Sequence, residues 1–141
     1  MKVASIMLVL VVTLGLLGSA VVGADPRRDA ILAEFLAQAR QAEPGFAGFS
    51  AERGVAFYQA THTGGKQGTG SCTACHGPSP QHPGQTRAGK TIEPMAVSKT
   101  PVRYTDKATV EKWFTRNCQD VLGRACTARE KGDFLTYMLG Q

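Results

Sequence analysis

The sequence predicts an all-α fold within a single domain. In four stretches of the chain, apolar residues recur at helical spacing, and no stretch alternates as a half-buried strand does. Glycine and proline are concentrated between these stretches, which is typical of loops. A chain of 141 residues is long enough for one such domain and no more.

The first residues have the pattern of a secretory signal. A basic start at Met1-Lys2 precedes an apolar run, and small residues at Gly23-Ala24 suit a signal peptidase. We predict a signal peptide over residues 1–24 with cleavage after Ala24. Cleavage after Ala20 and a retained membrane anchor are the alternatives. In every case residues 25–141 are expected outside the cytoplasm, in the periplasm.

The charge pattern narrows the possible partners. Removing the signal takes away one lysine and no acid, so the formal net charge falls from +5 to +4. The charges are interspersed and form no long basic run, which disfavours nucleic acid. A mild positive charge fits docking to an acidic partner, or only solubility. Membrane contact is expected only through an uncleaved signal.

The first two helices are predicted from their caps and apolar stripes. Asp25-Pro26 is a typical helix start, and Pro44-Gly45 is a typical stop. The apolar stripe between them comprises Ile31, Leu32, Phe35, Leu36 and Ala39. This helix and its linker occupy residues 25–48. Ser50 caps the second helix, in which Gly54 predicts a close crossing with the last helix because glycine otherwise costs ~1 kcal/mol there.

The last two helices also begin at polar caps. Thr105 or Asp106 starts the third helix. One face of it comprises Val110, Trp113, Phe114 and Asn117. Thr127 and Glu130 form a capping box at the start of the fourth. The predicted buried side of that helix comprises Phe134, Leu135, Met138 and Leu139.

One short motif carries the chemistry. Cys72-x-x-Cys75-His76 is the attachment pattern of a c-type haem, in which both thiols bond the porphyrin and the histidine binds iron. Zinc is an alternative, with Cys72, Cys75, His76 and His82 as possible ligands, but no second Cys-x-x-Cys or histidine pair supplies a standard framework. A thioredoxin-like thiol pair would need a βαβ context. One covalent haem c and the helices predict a class I cytochrome c-like fold over residues 49–141, with an additional N-terminal helix.

The remaining cysteines are Cys118 and Cys126. In an oxidising compartment, two thiols separated by a short turn at Gly123 are expected to form a disulfide.

Residue spacing leaves the second axial ligand of the iron open. Met95 is the usual ligand type for an electron carrier, although it follows His76 closely for a chain that must reach the opposite haem face. Asn117 is the alternative, because a polar side chain on an apolar helix face needs a partner. It could also be a helix C-terminal cap. His62 and His82 are further possible ligands, but they lie in glycine- and proline-rich loops.

Two regions are expected to surround the haem. The pocket residues on the third helix are Val110, Trp113 and Phe114. The long loop from Pro78 to Pro101 is expected to pack on the haem face. The candidate propionate contacts are Lys90, Arg87 and Arg103.

Several segments from Arg53 nearly to the C-terminus carry a likeness to a known family. They include Gly64-Gly65-Lys66, Cys72 to His76, Gly84 to Arg87, Gly89-Lys90, Ile92-Glu93-Pro94, Val110 to Trp113, Arg116-Asn117-Cys118, Gly123-Arg124 with Cys126, and Glu130-Lys131. The block Arg-Asn-Cys-x-x-Val-x-Gly-Arg-x-Cys is far more specific than Cys-x-x-Cys-His. On these motifs the chain resembles the sphaeroides haem protein family of oxygen-binding monohaem cytochromes c.

The resemblance implies that Asn117 is the distal iron ligand, that Cys118 and Cys126 are bridged, and that ferrous haem binds O₂, NO or CO. A neutral, hard amide oxygen suits ferric iron better than ferrous iron, so reduction is expected to release Asn117. The implied electron donor is a dihaem cytochrome c or a membrane cytochrome b.

The sequence leaves two other functions open. An oxygen- or NO-directed reductase is the enzymatic form of the gas-binding hypothesis, although the sequence shows no second cofactor and no proton-delivery chain. An ordinary electron carrier with histidine and Met95 as iron ligands is the competing hypothesis.

Overall fold

A computed structural model describes residues 25–141, and the predicted signal peptide lies outside the described residues. The helices and strands are α1 Pro26–Ala42, α2 Ala51–Gln59, α3 Thr73–His76, β1 Gly84–Gln85, β2 Thr91–Ile92, α4 Lys107–Leu122 and α5 Ala128–Leu139. The four predicted helices correspond to α1, α2, α4 and α5, so the all-α fold class is confirmed. In the described part of the chain, no helix is long and apolar enough to cross a membrane.

The two short strands were not expected. They pair antiparallel, with Gly84 opposite Ile92 and Gln85 opposite Thr91. A tight turn joins them, in which the Thr86 amide donates to the Lys90 carbonyl at 2.8 Å and the Lys90 amide donates to Thr86 Oγ1 at 3.0 Å. Strands of two residues are too short to show a period of two, which is why periodicity missed them.

Helix α1 packs into the same core as the rest of the described chain. Asp25 caps it by accepting a hydrogen bond from the Arg27 amide at 2.9 Å. Ile31 and Phe35 are buried in the central cluster, and α1 contacts α5. The buried Arg28 guanidinium donates to the carbonyl of Arg103 at 2.9 Å and also to that of Pro101. The N-terminal helix therefore holds the loop that precedes α4.

Helices α2 and α5 cross closely, as Gly54 predicts. A Cβ added at Gly54 would lie 2.7 Å from Tyr137 Cβ and inside van der Waals contact with the Asp133 carbonyl. Beside the crossing, Arg53 donates two hydrogen bonds to the buried Asp133 carboxylate, at 2.7 and 2.8 Å. Because Asp133 is only 5% exposed, this ion pair joins the two helices more firmly than a surface pair would.

Helices α4 and α5 are joined through a turn that carries the bridge. Asp106 caps α4 by accepting from the Thr109 amide at 2.8 Å, and Gly123 ends the helix in the left-handed conformation, with φ of 70°. Cys118 and Cys126 form a disulfide. The predicted capping box of Thr127 and Glu130 opens α5.

Replacing Gly54 by alanine should destabilise the fold. Alanine has the better helix propensity by ~1 kcal/mol, but its methyl group would push against the α5 backbone. We expect a net loss of about 1–2 kcal/mol in the free energy of unfolding, measured by denaturant titration. Gly45→Ala is the control, because nothing lies within 4 Å of a Cβ added there. Equal stability of the two variants would contradict the tight crossing.

Candidate haem site

The attachment motif forms a single helical turn. Cys72 is the N-cap residue just before α3, and its carbonyl accepts the His76 amide at 3.0 Å. Ser71 Oγ accepts the Ala74 amide at 3.2 Å, which fixes the start of the turn. Both motif cysteines are free thiols and half-buried. Residues three apart lie on the same side of a helical turn, so the thiols of Cys72 and Cys75 can both reach one porphyrin.

Burial shifts the pKa of two residues of the motif, the Cys72 thiol and the His76 imidazole. Burial raises the pKa of the Cys72 thiol to about 11, so the thiol stays protonated at neutral pH. Burial, and secondarily the positive charge of Arg103, lower the pKa of His76. A neutral imidazole is the form that binds a metal ion.

His76 fits an iron ligand by its surroundings. Its Nδ1 is buried and has no hydrogen-bond partner in the described chain. A buried polar atom without a partner costs about 1–3 kcal/mol, so the protein alone does not satisfy this ring. The described residues contain no group of three or more histidine, cysteine or acidic side chains that could hold a bare metal ion. The residues present therefore fit a haem better than zinc.

The β1 backbone and the Tyr58 side chain both contact the turn. A Cβ added at Gly84 would lie 2.8 Å from His76 Cα, so only glycine lets the hairpin pass this close to the motif. The Tyr58 hydroxyl donates to the Gly77 carbonyl at 2.7 Å. Sequence reasoning gave Tyr58 no role. Its position four residues after Gly54, on the face that crosses α5, was the available signal.

Asn117 lies in the interior of α4, five residues before the helix ends at Leu122. The alternative that it caps the helix is wrong, since Gly123 is the C-terminal cap. Its side chain is exposed and makes no hydrogen bond within residues 25–141. The next residue, Cys118, is buried in the disulfide cluster, so the backbone beside Asn117 is held firmly.

The three predicted pocket residues differ in burial. Val110 is buried in the core, and Phe114 packs against the same cluster. Trp113 is 47% exposed, with Lys112 and Arg116 over its ring. Because Trp113 and Asn117 are four residues apart, they are neighbours on one side of α4.

The three candidate propionate residues lie in two different segments of the chain. Arg87 and Lys90 are exposed in the hairpin turn, where Arg87 donates to the Gln67 carbonyl at 3.3 Å. Arg103 precedes α4, and its guanidinium donates to the carbonyls of Glu93 and Pro94 at 2.7 and 2.6 Å. The Arg103 guanidinium therefore stabilises the loop that contains Glu93 and Pro94.

The alternative axial ligands have other contacts. Met95 is buried in the core, and its backbone amide donates to the Pro80 carbonyl at 2.8 Å. The Tyr104 hydroxyl donates to the Met95 carbonyl at 3.0 Å. His62 packs on Phe57 and donates from Nε2 to the Phe57 carbonyl at 3.1 Å. His82 is exposed in its loop.

A helical domain built around a Cys-x-x-Cys-His turn, in which His76 Nδ1 is buried and has no hydrogen-bond partner within residues 25–141, defines the c-type cytochrome class. A family model described as "Domain of unknown function (DUF1924)" matches residues 44–138. Cytochrome c-type protein SHP of Cereibacter sphaeroides is 55% identical over 91 residues, which cover 64% of this chain and 70% of that protein. The chain belongs to the sphaeroides haem protein family.

Further relatives agree with this class. Cytochrome c'' of Methylophilus methylotrophus is 39% identical over 70 residues, 49% of each chain. The structure of oxidised SHP, described as an oxygen-binding cytochrome c, matches with a TM-score of 0.75 and 47% identity, covering 81% of this chain and 96% of that one. A solution structure of cytochrome c'', described in connection with haem-ligand detachment, matches with a TM-score of 0.70 and 29% identity, covering 82% and 94%. These relatives imply haem c as the cofactor.

Replacing the motif thiols should reduce covalent haem attachment. Cys72→Ala and Cys75→Ala should each leave at most one thioether bond and lower the yield of haem-loaded protein, because each thiol is expected to bond one vinyl group. Acid-acetone extraction followed by mass spectrometry measures the bound haem. Haem that stays attached in the double variant would contradict the assignment.

Removing the Cys118–Cys126 bridge should affect both stability and the haem. The chain-entropy model gives a loop of this length about 2–3 kcal/mol. Because Asn117 precedes Cys118, the Cys118→Ser/Cys126→Ser variant should also alter the ferric haem spectrum. Thermal unfolding and absorption spectra measure the two effects. A lower melting temperature with an unchanged spectrum would mean that the bridge does not position Asn117.

Proposed function

We propose that this protein is an exported c-type cytochrome whose ferrous haem binds a small diatomic ligand after Asn117 leaves the iron. Cys72 and Cys75 attach the haem covalently, His76 is the permanent axial ligand, and Asn117 is the second ligand in the ferric state. The observation that carries the proposal is Asn117 itself: an amide on a helix face, without a hydrogen-bond partner among residues 25–141, beside a residue held by a disulfide.

The haem supplies an iron that changes between the ferric and ferrous states and has one coordination position available to a small ligand. His76 serves both states, because neutral imidazole is a good ligand for each. The Asn117 amide oxygen is neutral and hard, so it favours ferric over ferrous iron. On reduction, Asn117 would therefore be held less firmly, and O₂, NO or CO could take its place.

The relatives support this assignment by analogy. SHP is described as oxygen-binding, and cytochrome c'' is described in terms of haem-ligand detachment. A dihaem cytochrome c or a membrane cytochrome b is proposed as the electron donor in the periplasm. The charge of +4 after removal of residues 1–24 would favour docking to an acidic face of that donor.

The contacts of Met95 favour the gas-binding function over the electron carrier. Its side chain packs in the core beside Tyr104, and its backbone is bonded to Pro80, four residues after His76. Because Pro80 is only four residues from His76, its bond to Met95 holds the Met95 backbone close to the His76 turn. Movement to the opposite face of the haem would break the Pro80 bonds and leave core space unfilled.

Substitutions at Asn117 and Met95 separate the two functions. Asn117→Ala should change the ferric spectrum and raise the affinity of ferric protein for added imidazole, while ferrous CO binding survives. Asn117→His should slow CO association by on the order of tenfold or more, because the new imidazole binds both ferric and ferrous iron and competes with CO. A competing interaction of about 1.4 kcal/mol corresponds to a factor of ten. Stopped-flow CO binding and imidazole titration measure these effects.

Gln119→Ala is the matched control, because it removes another exposed amide side chain from α4. Met95→Leu should leave the ferric spectrum unchanged. An unchanged ferric spectrum in Asn117→Ala together with a changed one in Met95→Leu would establish the electron carrier instead. A sulfur-to-iron charge-transfer band in the near infrared of the oxidised protein would lead to the same conclusion.

A further inference from the structure

The end of α4 is bound by the loop that leads into the haem-attachment motif. The last four carbonyls of a helix have no partner within the helix. In α4 the Gln119 carbonyl accepts the Gly123 amide at 3.1 Å. The next one, that of Asp120, instead accepts the Lys66 amide at 2.8 Å. The Thr69 hydroxyl lies 2.8 Å from this carbonyl and 2.8 Å from that of Lys66, so its one proton is shared between the two acceptors. A loop that is distant in sequence therefore completes the helix end.

Two glycines let this loop approach the helix backbone. A Cβ added at Gly65 would lie 2.5 Å from the Val121 carbonyl carbon. One added at Gly123 would lie 2.7 Å from the Gly64 carbonyl carbon. The Lys66 side chain also pairs with the Asp120 carboxylate at 2.6 Å, but the lysine side chain is 67% exposed, so this ion pair contributes little. The backbone and hydroxyl contacts are therefore the main ones.

These contacts connect two segments that are close in sequence to proposed haem-binding residues. Thr69 lies three residues before Cys72, where haem attachment begins. Asp120 lies three residues after Asn117, on the next turn of the same helix. The clamp, defined as the contacts of Lys66 and Thr69 with Asp120, thus connects the attachment loop to the helix that carries Asn117. It is separate from the disulfide, which runs from Cys118 towards α5.

We propose that Thr69 and Lys66 are positioning residues that strengthen the ferric Asn117–iron bond, an inference that rests on the proposed function. The clamp fixes the distance between the loop that anchors the haem and the helix turn beside Asn117. Asn117 then loses less conformational freedom when it binds iron. After reduction the clamp remains, so the Asn117 side chain leaves while the helix end stays in place.

The test uses substitutions that match Thr69 in size. Thr69→Val removes the hydroxyl with little change in volume, and Thr69→Ser retains it. The measured quantity is the affinity of the ferric holoprotein for imidazole, which must displace Asn117. We expect Thr69→Val to raise this affinity about three- to ten-fold, the effect of one net hydrogen bond. Thr69→Ser should restore wild-type affinity.

The same substitution in the Asn117→Ala background completes a double-mutant cycle. There Thr69→Val should have no effect on imidazole affinity, because the ligand that it positions is gone. Equal effects in both backgrounds would mean that Thr69 acts on the haem pocket in general and would overturn the inference. Wild-type affinity in Thr69→Val would overturn it as well.

The cycle also separates this inference from the proposed function. If Asn117→Ala leaves imidazole affinity and the ferric spectrum unchanged, the proposed function fails whatever the Thr69 variants do. If Asn117→Ala raises the affinity but Thr69→Val does not, only the clamp is wrong. Amide hydrogen exchange supplies a second readout: Thr69→Val should speed exchange in the last turn of α4, whereas Thr69→Ser should not.

Discussion

The close crossing of α2 and α5 is the constraint on which the rest of the structure depends. It requires glycine in α2, because a Cβ at Gly54 would meet the α5 backbone; in α5, a Cβ at Gly132 would overlap the ring of Phe49, which lies just before α2. The Arg53–Asp133 ion pair closes one side of the crossing, and Tyr58 extends from it to the carbonyl that follows the haem motif. The position of the motif is thereby tied to the crossing of α2 and α5.

The helices were predictable because caps and periodicity are local signals. Asp25, Ser50 and the capping box at Thr127 begin helices where the sequence predicted them. The crossing partner of Gly54 was predictable too, since a glycine inside an amphipathic helix needs a nearby backbone to justify its cost. The assignment of Asn117 as distal ligand came from the family resemblance, because spacing alone had left the ligand open, and it is a proposal.

Other features depend on contacts between distant segments, which periodicity does not record. The burial of Arg28 depends on two carbonyls in the loop before α4, more than seventy residues away. The binding of Arg103 to Glu93 and Pro94 similarly follows from the path of the long loop. A basic residue in a loop indicates an anion contact as readily as a brace for the backbone. Only the fold distinguishes the two.

The exposure of Trp113 has a practical consequence. It is the single tryptophan of the chain, and it lies one helical turn before Asn117, with about 5–6 Å expected between Cβ atoms at this spacing. Its fluorescence therefore originates entirely from the helix face that carries the proposed distal ligand. Emission at this position is sensitive to solvent and to energy transfer to a nearby porphyrin. The protein thus contains an intrinsic optical reporter of events on that face, with no added label.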